Sequence, residues 1–471
     1  MEIPAGRNSS ISCNKYLRAL THFLGLDGSI SLTLLGRFWT LGSGPITVFE
    51  ILRNLSRSEQ GYYYTFSSIL GISGLLELGL SIALVQFVSH EFAHLSWNEK
   101  GSIVGGSDQG QRLAALIRGA CVWYLRLALV VLIVTIPSGV AVFAGGTNQK
   151  WQIPWLICCV TTAFTCAFTP AWALIEGAGL VKELALIRLA QQVTSSLALW
   201  AALEAKLGLG AAAASSILPL VVGIGWLATK RRRALITLLR AKPTIHGSIW
   251  SKEIWPMQWR IATSTLMGFI AYQLPGPILF RFQGDVAAGR WGLSYTIASV
   301  LSLIGAAWIS TKVPRFAILI ASRKFADLDT QFRRALSQST AVIAVLGASI
   351  WTLVFSAGRF GFHLELRVLD PLPFLALIVN AILLHLGFSM GSYLRAHKQE
   401  PYAGLAILNG TYMLAATLVV GARWGPNPLA VATAVGTAVV LVGGGFMIFS
   451  SKRKEWHSGG SFNDASIQSA A

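Results

Sequence analysis

The sequence predicts an all-α polytopic membrane protein with about 12 transmembrane helices. Three observations predict this class: twelve apolar stretches of membrane-spanning length, a charged content of 12% beside 54% hydrophobic residues, and loops that alternate between many and few Lys/Arg. A hydrocarbon core about 30 Å thick requires roughly 20 apolar residues per helix. Because lipid cannot bind backbone N–H and C=O groups, these continuous apolar runs must be helices, whereas a barrel would show alternating strands of about ten residues.

Each predicted span is a continuous apolar run bounded by charged or turn-forming residues. In chain order the predicted spans are Gly28 to Leu52, Tyr62 to Ser89, Gly119 to Gly145, Trp151 to Leu174, Val181 to Leu203, Gly210 to Ala228, Ile254 to Phe280, Trp291 to Ile309, Leu336 to Ala357, Leu372 to Met390, Ala403 to Gly421 and Leu429 to Phe449. The segment Phe325 to Leu336 carries apolar residues at helical spacing beside two arginines, which predicts a separate amphipathic helix at the membrane surface.

The positive charge is distributed as in a membrane protein. A net charge of +18 would suggest nucleic-acid binding in a soluble protein. With the N-terminus in the cytoplasm, however, 27 Lys/Arg lie inside and nine outside, and Arg37 and Arg126 lie within spans. The positive-inside rule therefore predicts that both termini are cytoplasmic. The cluster Lys230 to Arg233 is then a topology anchor beside anionic lipid, and no nucleic-acid partner is expected.

The hydrophilic connection Lys230 to Glu253 lies at the middle of the chain and separates six predicted spans from six. This division predicts a cytoplasmic N-terminal segment (1–27), a six-helix lobe (28–229), a basic cytoplasmic linker (230–253), a second six-helix lobe (254–450) and a cytoplasmic tail (451–471).

A weak internal repeat supports that division. The first span carries Gly44-Pro45-Ile46 and the seventh carries Gly276-Pro277-Ile278, each near the outer end of its helix. In each half, a glycine at the start of the next span is followed by aromatic and hydroxyl residues. This glycine is Gly61 in the first half and Gly289 in the second. Because six spans is an even number, the two halves would be related by an axis along the membrane normal.

One stretch matches a zinc-protease motif, His90-Glu91-Phe92-Ala93-His94, which on a helix would present two imidazoles to the metal and a carboxylate to water. The remainder of such a site is missing, because Lys100 stands where a third histidine would be and no glutamate follows at a ligand spacing. We therefore expect no metal here. The five cysteines show no disulfide or metal spacing, and the chain has no phosphate-binding loop or dinucleotide fingerprint, so no cofactor is expected.

Ionisable residues inside spans are the candidate site residues, because a charge in the bilayer usually faces a pathway or a partner. Arg37 lies in the first span and Glu77 lies near the centre of the second. An ion pair between them would either hold the two helices together or take part in the transport path. Arg126 lies about two turns beyond Arg118 on the third span, so the two would form a cationic strip. Further inner-mouth candidates are Arg188 and Arg260.

The opening of the chain resembles oligosaccharide flippases of the multidrug/oligosaccharidyl-lipid/polysaccharide exporter (MOP) superfamily, which includes O-antigen flippases. The resemblance rests on Leu35-Gly36-Arg37-Phe38-Trp39, on Leu55 to Phe66 with its Gly61-Tyr62-Tyr63-Tyr64, and on Glu77-Leu78-Gly79-Leu80. The segment Trp255-Pro256-Met257-Gln258-Trp259-Arg260 resembles a bacterial branch of the same group. The similarity covers the first 90 residues best and the seventh span moderately.

This resemblance implies two six-helix lobes around a central cleft that opens alternately to each side. It also implies a non-enzymatic flippase of the bacterial inner membrane, whose substrate is a lipid-linked glycan for polysaccharide or lipopolysaccharide biosynthesis and whose partners are membrane lipid and polysaccharide-assembly proteins. Arg37 and Arg126 suit phosphate contacts in such a cleft, since guanidinium binds phosphate bidentately. Glu77 would position Arg37 or couple to a cation.

Three other classes remain open from the sequence. A major facilitator transporter also has twelve spans and a basic central loop, and Asp108 to Arg112 faintly matches its loop motif. A polytopic polysaccharide polymerase or glycosyltransferase would show a large external loop, whereas every external loop here is short. A membrane zinc protease would depend on the incomplete His90 motif.

Overall fold

The computed structural model describes residues 28–77, 80–98, 103–146, 149–240, 266–356, 364–397 and 402–457, and these residues are almost entirely helical. In the first half of the chain the elements are α1 (Gly28–Asn54), α2 (Arg57–Leu70), α3 (Ile72–Glu77), α4 (Leu80–Phe92), β1 (Leu95–Trp97), β2 (Ile103–Gly105), α5 (Ser107–Phe143), α6 (Gln152–Ala167), α7 (Thr169–Gly177), α8 (Val181–Glu204), α9 (Gly210–Trp226) and α10 (Arg232–Arg240).

The second half is also helical, beginning with residues 266–272. The elements that follow are α11 (Pro275–Gln283), α12 (Asp285–Ser310), α13 (Val313–Ala321), α14 (Phe325–Ser356), α15 (Pro371–Ala396), α16 (Ala403–Ala416), α17 (Ala422–Trp424), α18 (Pro426–Gly436) and α19 (Gly445–His457). Wider π-helical turns join α9 to α10, α16 to α17 and α18 to α19.

Lipid is the solvent that these helices require. Within the described ranges, eight helices are long and apolar enough to cross a membrane, or nine if the bent second span is counted as one. At most 44% of the residues in any of their apolar windows are buried. Side chains such as Ile133 and Leu353 are 70% and 66% exposed, an apolar surface that water would not tolerate at this scale. The predicted all-α, multi-pass membrane class is confirmed.

The second predicted span divides into three helices, and its start is fixed by a capping box. The Ser56 hydroxyl accepts a hydrogen bond from the Glu59 N–H at 3.1 Å, and the Glu59 carboxylate accepts one from the Ser56 N–H at 3.0 Å. These two bonds satisfy N–H groups that a helix leaves free in its first turn. They explain why α2 begins at Arg57, five residues before the predicted start of the span.

The described residues form two compact units that differ from a simple division at the middle of the chain. The first unit comprises residues 28–55, 80–136 and 152–240, and the second comprises 56–77, 137–146, 149–151 and all described residues from 266 onward. The lobe boundaries given above stay predictions.

Within the second unit, the two glycines that the sequence repeat aligns contact each other. If Gly61 carried a Cβ atom, that atom would overlap the backbone of Asp285. A Cβ atom on Gly289 would lie 2.9 Å from the backbone nitrogen of Gly61. Helices α2 and α12 therefore approach backbone to backbone. The Gln60 amide seals the contact by donating to the Gly289 carbonyl at 2.9 Å. Contact between equivalent positions is what a two-fold repeat produces near its axis.

Two sequence interpretations were wrong. The segment 325–336 is not a separate surface helix but the first three turns of α14, because Leu328 and Phe332 pack into a buried cluster with Phe316 and Tyr393 instead of facing lipid headgroups. Apolar residues at helical spacing fit either environment, so the pattern alone does not separate them.

Arg231 is likewise not a lipid-facing anchor, although its neighbours Lys230, Arg232 and Arg233 are exposed. Its guanidinium lies 4.6 Å from the ring centre of Trp97 on the β-hairpin and donates to both carboxylate oxygens of Glu183 at 2.7 Å. The Trp97 indole in turn donates to the Ala178 carbonyl at 3.4 Å. One cation thus fastens the hairpin to the ends of α7, α8 and α9.

Candidate functional site: a polar cavity in the first unit

An open pocket of about 450 Å³, lined mainly by residues with polar side chains and called the cavity below, lies in the first unit between α1, α8 and α9. Its volume is in the range of small-molecule sites. Neither α1 nor α8 is among the eight helices that pass as membrane spans, and these two supply most of the cavity wall. A helix that lines a polar space carries residues that lower its hydropathy. The lining residues are Trp39, Thr40, Ser43, Arg188, Gln191, Gln192, Ser195, Ser196 and Pro219.

Helices α1 and α8 run side by side in the same direction, which positions the two faces of the cavity. The order of their contacts along the chain establishes this arrangement. Gly36 lies beside the Gln192 side chain, the Trp39 indole donates to the Ser196 hydroxyl (3.4 Å), the Trp200 indole donates to the Thr47 hydroxyl (3.0 Å), and Arg53 pairs with Glu204 (3.1 Å).

A proline in α9 creates the third wall. Pro219 has no N–H, so the carbonyl of Ser215, four residues earlier, lacks its helical donor. The Ser195 hydroxyl from α8 donates to that carbonyl at 2.9 Å, and the Gln191 amide donates to the Pro219 carbonyl at 3.0 Å. Two side chains of α8 therefore donate to the backbone of α9 around Pro219. This exchange holds the polar face of α8 against α9.

The two adjacent glutamines have different roles. Gln191 uses its amide nitrogen in the bond to α9, which leaves its side-chain oxygen for a ligand. None of the described residues hydrogen-bonds the side-chain amide of Gln192, which is exposed into the cavity. An amide offers two donors and an acceptor with two lone pairs. Gln192 is the cavity residue with the most unused hydrogen-bonding capacity.

The cavity is weakly cationic. Of the residues that line it within the described part of the chain, Arg188 is charged and none is acidic. One Arg188 nitrogen lies 3.2 Å from the Glu176 carboxylate, and the two side chains are 58% and 36% exposed. A single-atom contact of this kind leaves other guanidinium N–H groups of Arg188 free to donate. The chemistry suits a ligand with hydroxyl groups and one anionic group.

The predicted site residues are distributed unequally around this cavity. Arg188 lines it. Arg37 is exposed on α1 next to Gly36, and therefore lies at the Arg188 end of the α1–α8 contact. Arg126 is exposed and Arg118 half-buried on α5, and neither lines the cavity. Glu77 is half-buried at the end of α3 in the second unit, so its pairing with Arg37 stays a prediction. The remaining candidate, Arg260, is outside the described residues.

Sequence reasoning missed the uncharged cavity residues because it ranked charges alone. The signal was nevertheless present: Gln191, Gln192, Ser195 and Ser196 form a polar run in the middle of a predicted apolar span. Amides and hydroxyls inside a span require hydrogen-bond partners, from the protein or from a ligand. A search for such runs would have found the α8 face.

The zinc-protease motif does not have the geometry of that site. Helix α4 ends at Phe92, so His94 lies in the turn that follows and not on the same helical face as His90. Across the described residues, no group of three His, Cys, Asp or Glu is placed to hold a metal ion.

No known protein family and no curated protein matches this sequence. Solved structures do match it in fold. An inward-facing multidrug resistance MATE family transporter of the MOP superfamily aligns with a TM-score of 0.63 at 13% identity, over 88% of this chain and 96% of that one. Lipid II flippase MurJ in an inward closed conformation aligns with a TM-score of 0.58 at 15% identity, over 89% of this chain and 87% of MurJ.

A third match is a MOP superfamily transporter from Pyrococcus furiosus, with a TM-score of 0.54 at 12% identity, over 91% of this chain and 95% of that one. At these identities the comparisons establish the fold. The chain therefore has the fold of MOP superfamily transporters along nearly its whole length.

Proposed function

We propose that the protein is a MOP-type membrane transporter that flips an anionic lipid-linked saccharide across the bacterial cytoplasmic membrane by alternating access. The observation that carries the proposal is the cavity between α1, α8 and α9, whose lining combines amides, hydroxyls, an indole and one arginine without a carboxylate. The saccharide headgroup would occupy the cavity while the lipid tail stays in the bilayer.

The lining chemistry favours a sugar. Hydroxyl groups of a sugar both donate and accept hydrogen bonds, as does the side-chain amide of Gln192. The Ser195 and Thr40 hydroxyls donate to backbone carbonyls, which leaves their oxygens as acceptors for a sugar hydroxyl. Trp39 presents an indole, a flat apolar surface of the kind on which the C–H faces of a sugar ring pack. The indole is held by its bond to Ser196 and lies 6.2 Å from the Trp200 ring. A ring fixed in this way needs little ordering when it binds.

The phosphate would lie at the end of the cavity where Arg188 and Arg37 occur. Guanidinium donates two parallel hydrogen bonds to phosphate and keeps its charge at physiological pH. Arg126 on α5 does not line the cavity, and its contact with phosphate stays a prediction. The fold similarity to lipid II flippase MurJ, whose name denotes a lipid-linked substrate, supports this choice of substrate class.

A multidrug transporter is the second candidate, because a MATE family transporter shares the fold. An organic cation in a membrane cavity requires a carboxylate, and the described lining supplies an arginine instead. A major facilitator transporter has a different fold from the MOP superfamily transporters that this chain matches. The zinc-protease alternative would need both histidines on one helix, and His94 lies beyond the end of α4. We therefore keep the flippase as the proposed function.

Replacement of Arg188 tests the proposal. The protein would be expressed in a strain from which its gene has been deleted, with surface polysaccharide and lipid-linked saccharide measured together. Arg188→Ala should lower export at least about tenfold, the loss expected when one charge-assisted contact is removed. Arg240→Ala, an exposed arginine outside the cavity, is the matched control. Normal export by Arg188→Ala at equal expression would contradict the assigned site, and unchanged glycans after gene deletion would contradict the substrate class.

A further inference from the structure

The second unit contains a buried histidine with an unused ring nitrogen. His385 on α15 is 1% exposed, and its Nε2 lies 2.8 Å from the hydroxyl of Ser339 on α14, which is also 1% exposed. The described residues offer no hydrogen-bond partner to Nδ1. Several buried polar atoms of the described residues share this feature, but Nδ1 of His385 is one that can bind a proton, so it calls for a functional explanation.

The hydrogen bonds of Ser339 determine which nitrogen carries the hydrogen. The Ser339 hydroxyl has one hydrogen, and it donates that hydrogen to the Leu336 carbonyl at 3.1 Å. The role of Nε2 depends on the tautomer; with the Ser339 hydrogen on the Leu336 carbonyl, we assign the hydrogen of the neutral imidazole to Nε2, which then donates to the hydroxyl oxygen. Nδ1 is left as a bare lone pair. A second proton on this ring would therefore bind at Nδ1.

Glycine provides the space for this nitrogen. A Cβ on Gly305 of α12 would lie 2.5 Å from Nδ1 and 2.7 Å from Cγ of His385, so the ring packs flat against the helix backbone. A hydroxyl joins two of the surrounding helices, because Ser302 of α12 donates to the Ala381 carbonyl of α15 at 3.0 Å. Ser389 donates within α15 to the His385 carbonyl at 2.7 Å. Three helices thus close around the imidazole.

Among the described residues, the helix segments that surround the ring carry no ionisable side chain. Residues 301–309, 335–343 and 381–389, which cover four positions on either side of Gly305, Ser339 and His385, include no other titratable residue. The same is true of the π-helical segment 437–444, where Leu441 contacts α15 at Gly387. The titratable side chains of these helices lie farther along them: Asp285, Arg290 and Tyr295 on α12, Asp327, Asp329, Arg333 and Arg334 on α14, and Tyr393 and Arg395 on α15.

We propose that Nδ1 of His385 is a proton-binding site whose occupancy opens the contact between α12, α14 and α15. This inference rests on the proposed transport function, which it supplies with a coupling ion. In the part of the chain that the structure describes, a charged imidazole has no counter-charge beside these helix segments and cannot remain buried there. Separation of the helices would give Nδ1–H a water partner. Proton binding and opening are therefore linked, each favouring the other.

Hydrogen exchange tests the linkage without any substrate. The protein in nanodiscs of phosphatidylethanolamine and phosphatidylglycerol would be measured at pH 8 and pH 5.5, with each rate divided by the intrinsic rate at that pH. An opening event that binds one proton changes about tenfold per pH unit below the ordinary titration range of imidazole. Exchange in residues 301–309, 335–343 and 381–389 should therefore rise about tenfold in wild-type protein.

Two variants identify the responding group. His385→Gln keeps an N–H for the Ser339 hydroxyl but cannot take up a proton, so the increase at low pH should disappear. His397→Gln, at the end of the same helix, should retain it. If His385→Gln does not fold, Ser339→Ala serves instead, and its response should move to a different midpoint pH because Nε2–H loses its acceptor.

An absent response in wild-type protein, a full response in His385→Gln, or an unmoved midpoint in Ser339→Ala would each overturn the proton site. These outcomes leave the transport proposal intact, because surface glycan in the Arg188→Ala strain is measured separately. Conversely, normal glycan export by Arg188→Ala would contradict the substrate site and leave the exchange result standing.

Discussion

The cavity face of the first unit and the Asp329 cluster of the second unit use polar residues inside apolar helices in opposite ways. In the first unit, polar side chains of α1 and α8 face a cavity, and Gln192 keeps a side-chain amide to which none of the described residues binds. In the cluster of the second unit, the polar groups are enclosed and bonded to each other: Asp329, 9% exposed, accepts hydrogen bonds from the Tyr393 hydroxyl and from two Arg453 nitrogens. Polar residues left free in a membrane helix indicate ligand contact, and polar residues fully bonded indicate structure.

Two glycines of α1 differ in a similar way from three glycines at helix contacts of the second unit. Gly42 and Gly44 on α1 have no atom within 4 Å of the position that a Cβ would occupy, whereas at Gly61, Gly289 and Gly305 an atom of a neighbouring helix lies there. The contacts of α2 with α12 and of α12 with α15 depend on this close approach. The α1 helix has free space beside it. Substitutions that add or remove a few atoms test this difference.

Gly61→Ala should have the largest effect on stability. The added methyl would overlap the Asp285 backbone, which cannot move without shifting α12. We expect a loss of about 3 kcal/mol or failure to insert, at the upper end of overpacking costs. Thermal unfolding in detergent, followed by tryptophan fluorescence, measures it. Gly42→Ala is the control and should leave the unfolding midpoint unchanged; equal effects of both variants would remove the contrast.

Asp329→Ala should lower the free energy of unfolding by about 2 to 3 kcal/mol. The substitution removes the carboxylate that accepts hydrogen bonds from the Tyr393 hydroxyl and from Arg453, and Tyr393 is 0% exposed. Chemical unfolding in mixed micelles gives the free energy of unfolding. Lys452→Ala removes a neighbouring exposed pair with Glu455 and should change it by less than about 0.5 kcal/mol. An Asp329→Ala protein as stable as wild type would mean that this cluster does not close the unit.

Ser195→Ala should lower the free energy of unfolding by about 1 kcal/mol. The Ser215 carbonyl, which receives no N–H from Pro219, would lose its donor. The same unfolding measurement applies. Restoration of the helical donor by Pro219→Ala in the Ser195→Ala background should recover most of the loss. If the double variant is no more stable than Ser195→Ala, the Ser195 hydroxyl does not compensate for the missing N–H of Pro219.

Gln192→Ala should have the smallest effect on stability, within about 0.5 kcal/mol, because none of the described residues bonds to its amide. Export of surface glycan should nevertheless fall about tenfold, as expected for loss of hydrogen bonds to a ligand. The adjacent Gln191→Ala should instead lower stability by about 1 kcal/mol through its bond to Pro219. A destabilised Gln192→Ala protein would show that the side chain is structural.

Hydropathy predicted the helices better than it predicted their contacts. The fifth predicted span, Val181 to Leu203, ends one residue before α8 does, since a change in polarity marks the end of a helix. The start of α14 was misplaced by eleven residues because Phe325 and Leu328 are buried by other helices, and amphipathic spacing does not identify the partner. Contacts between distant segments, such as Gly61 with Gly289, depend on packing that no local pattern specifies.

The candidate site was predicted only in part for a related reason. Charges in a membrane span are conspicuous, so Arg37, Arg126 and Arg188 were selected, and Arg188 does line the cavity. Glutamine and serine become informative only when the neighbours that could bond to them are known. Ser195 is bonded to α9, whereas the adjacent face of α8 presents a free amide at Gln192. The sequence does not distinguish these two cases.

Crosslinking from inside the cavity tests most directly whether the first unit holds the substrate. A photoreactive benzoylphenylalanine would replace Trp39, which lines the cavity and would keep an aromatic ring there, and another would replace Leu303, an apolar residue of α12 that is 65% exposed. After irradiation of living cells, mass spectrometry would search for saccharide covalently attached to each protein. We predict a glycan-phosphate adduct at position 39 and lipid without saccharide at position 303. Saccharide absent at 39 in cells that accumulate the lipid-linked glycan would contradict the cavity as the binding site.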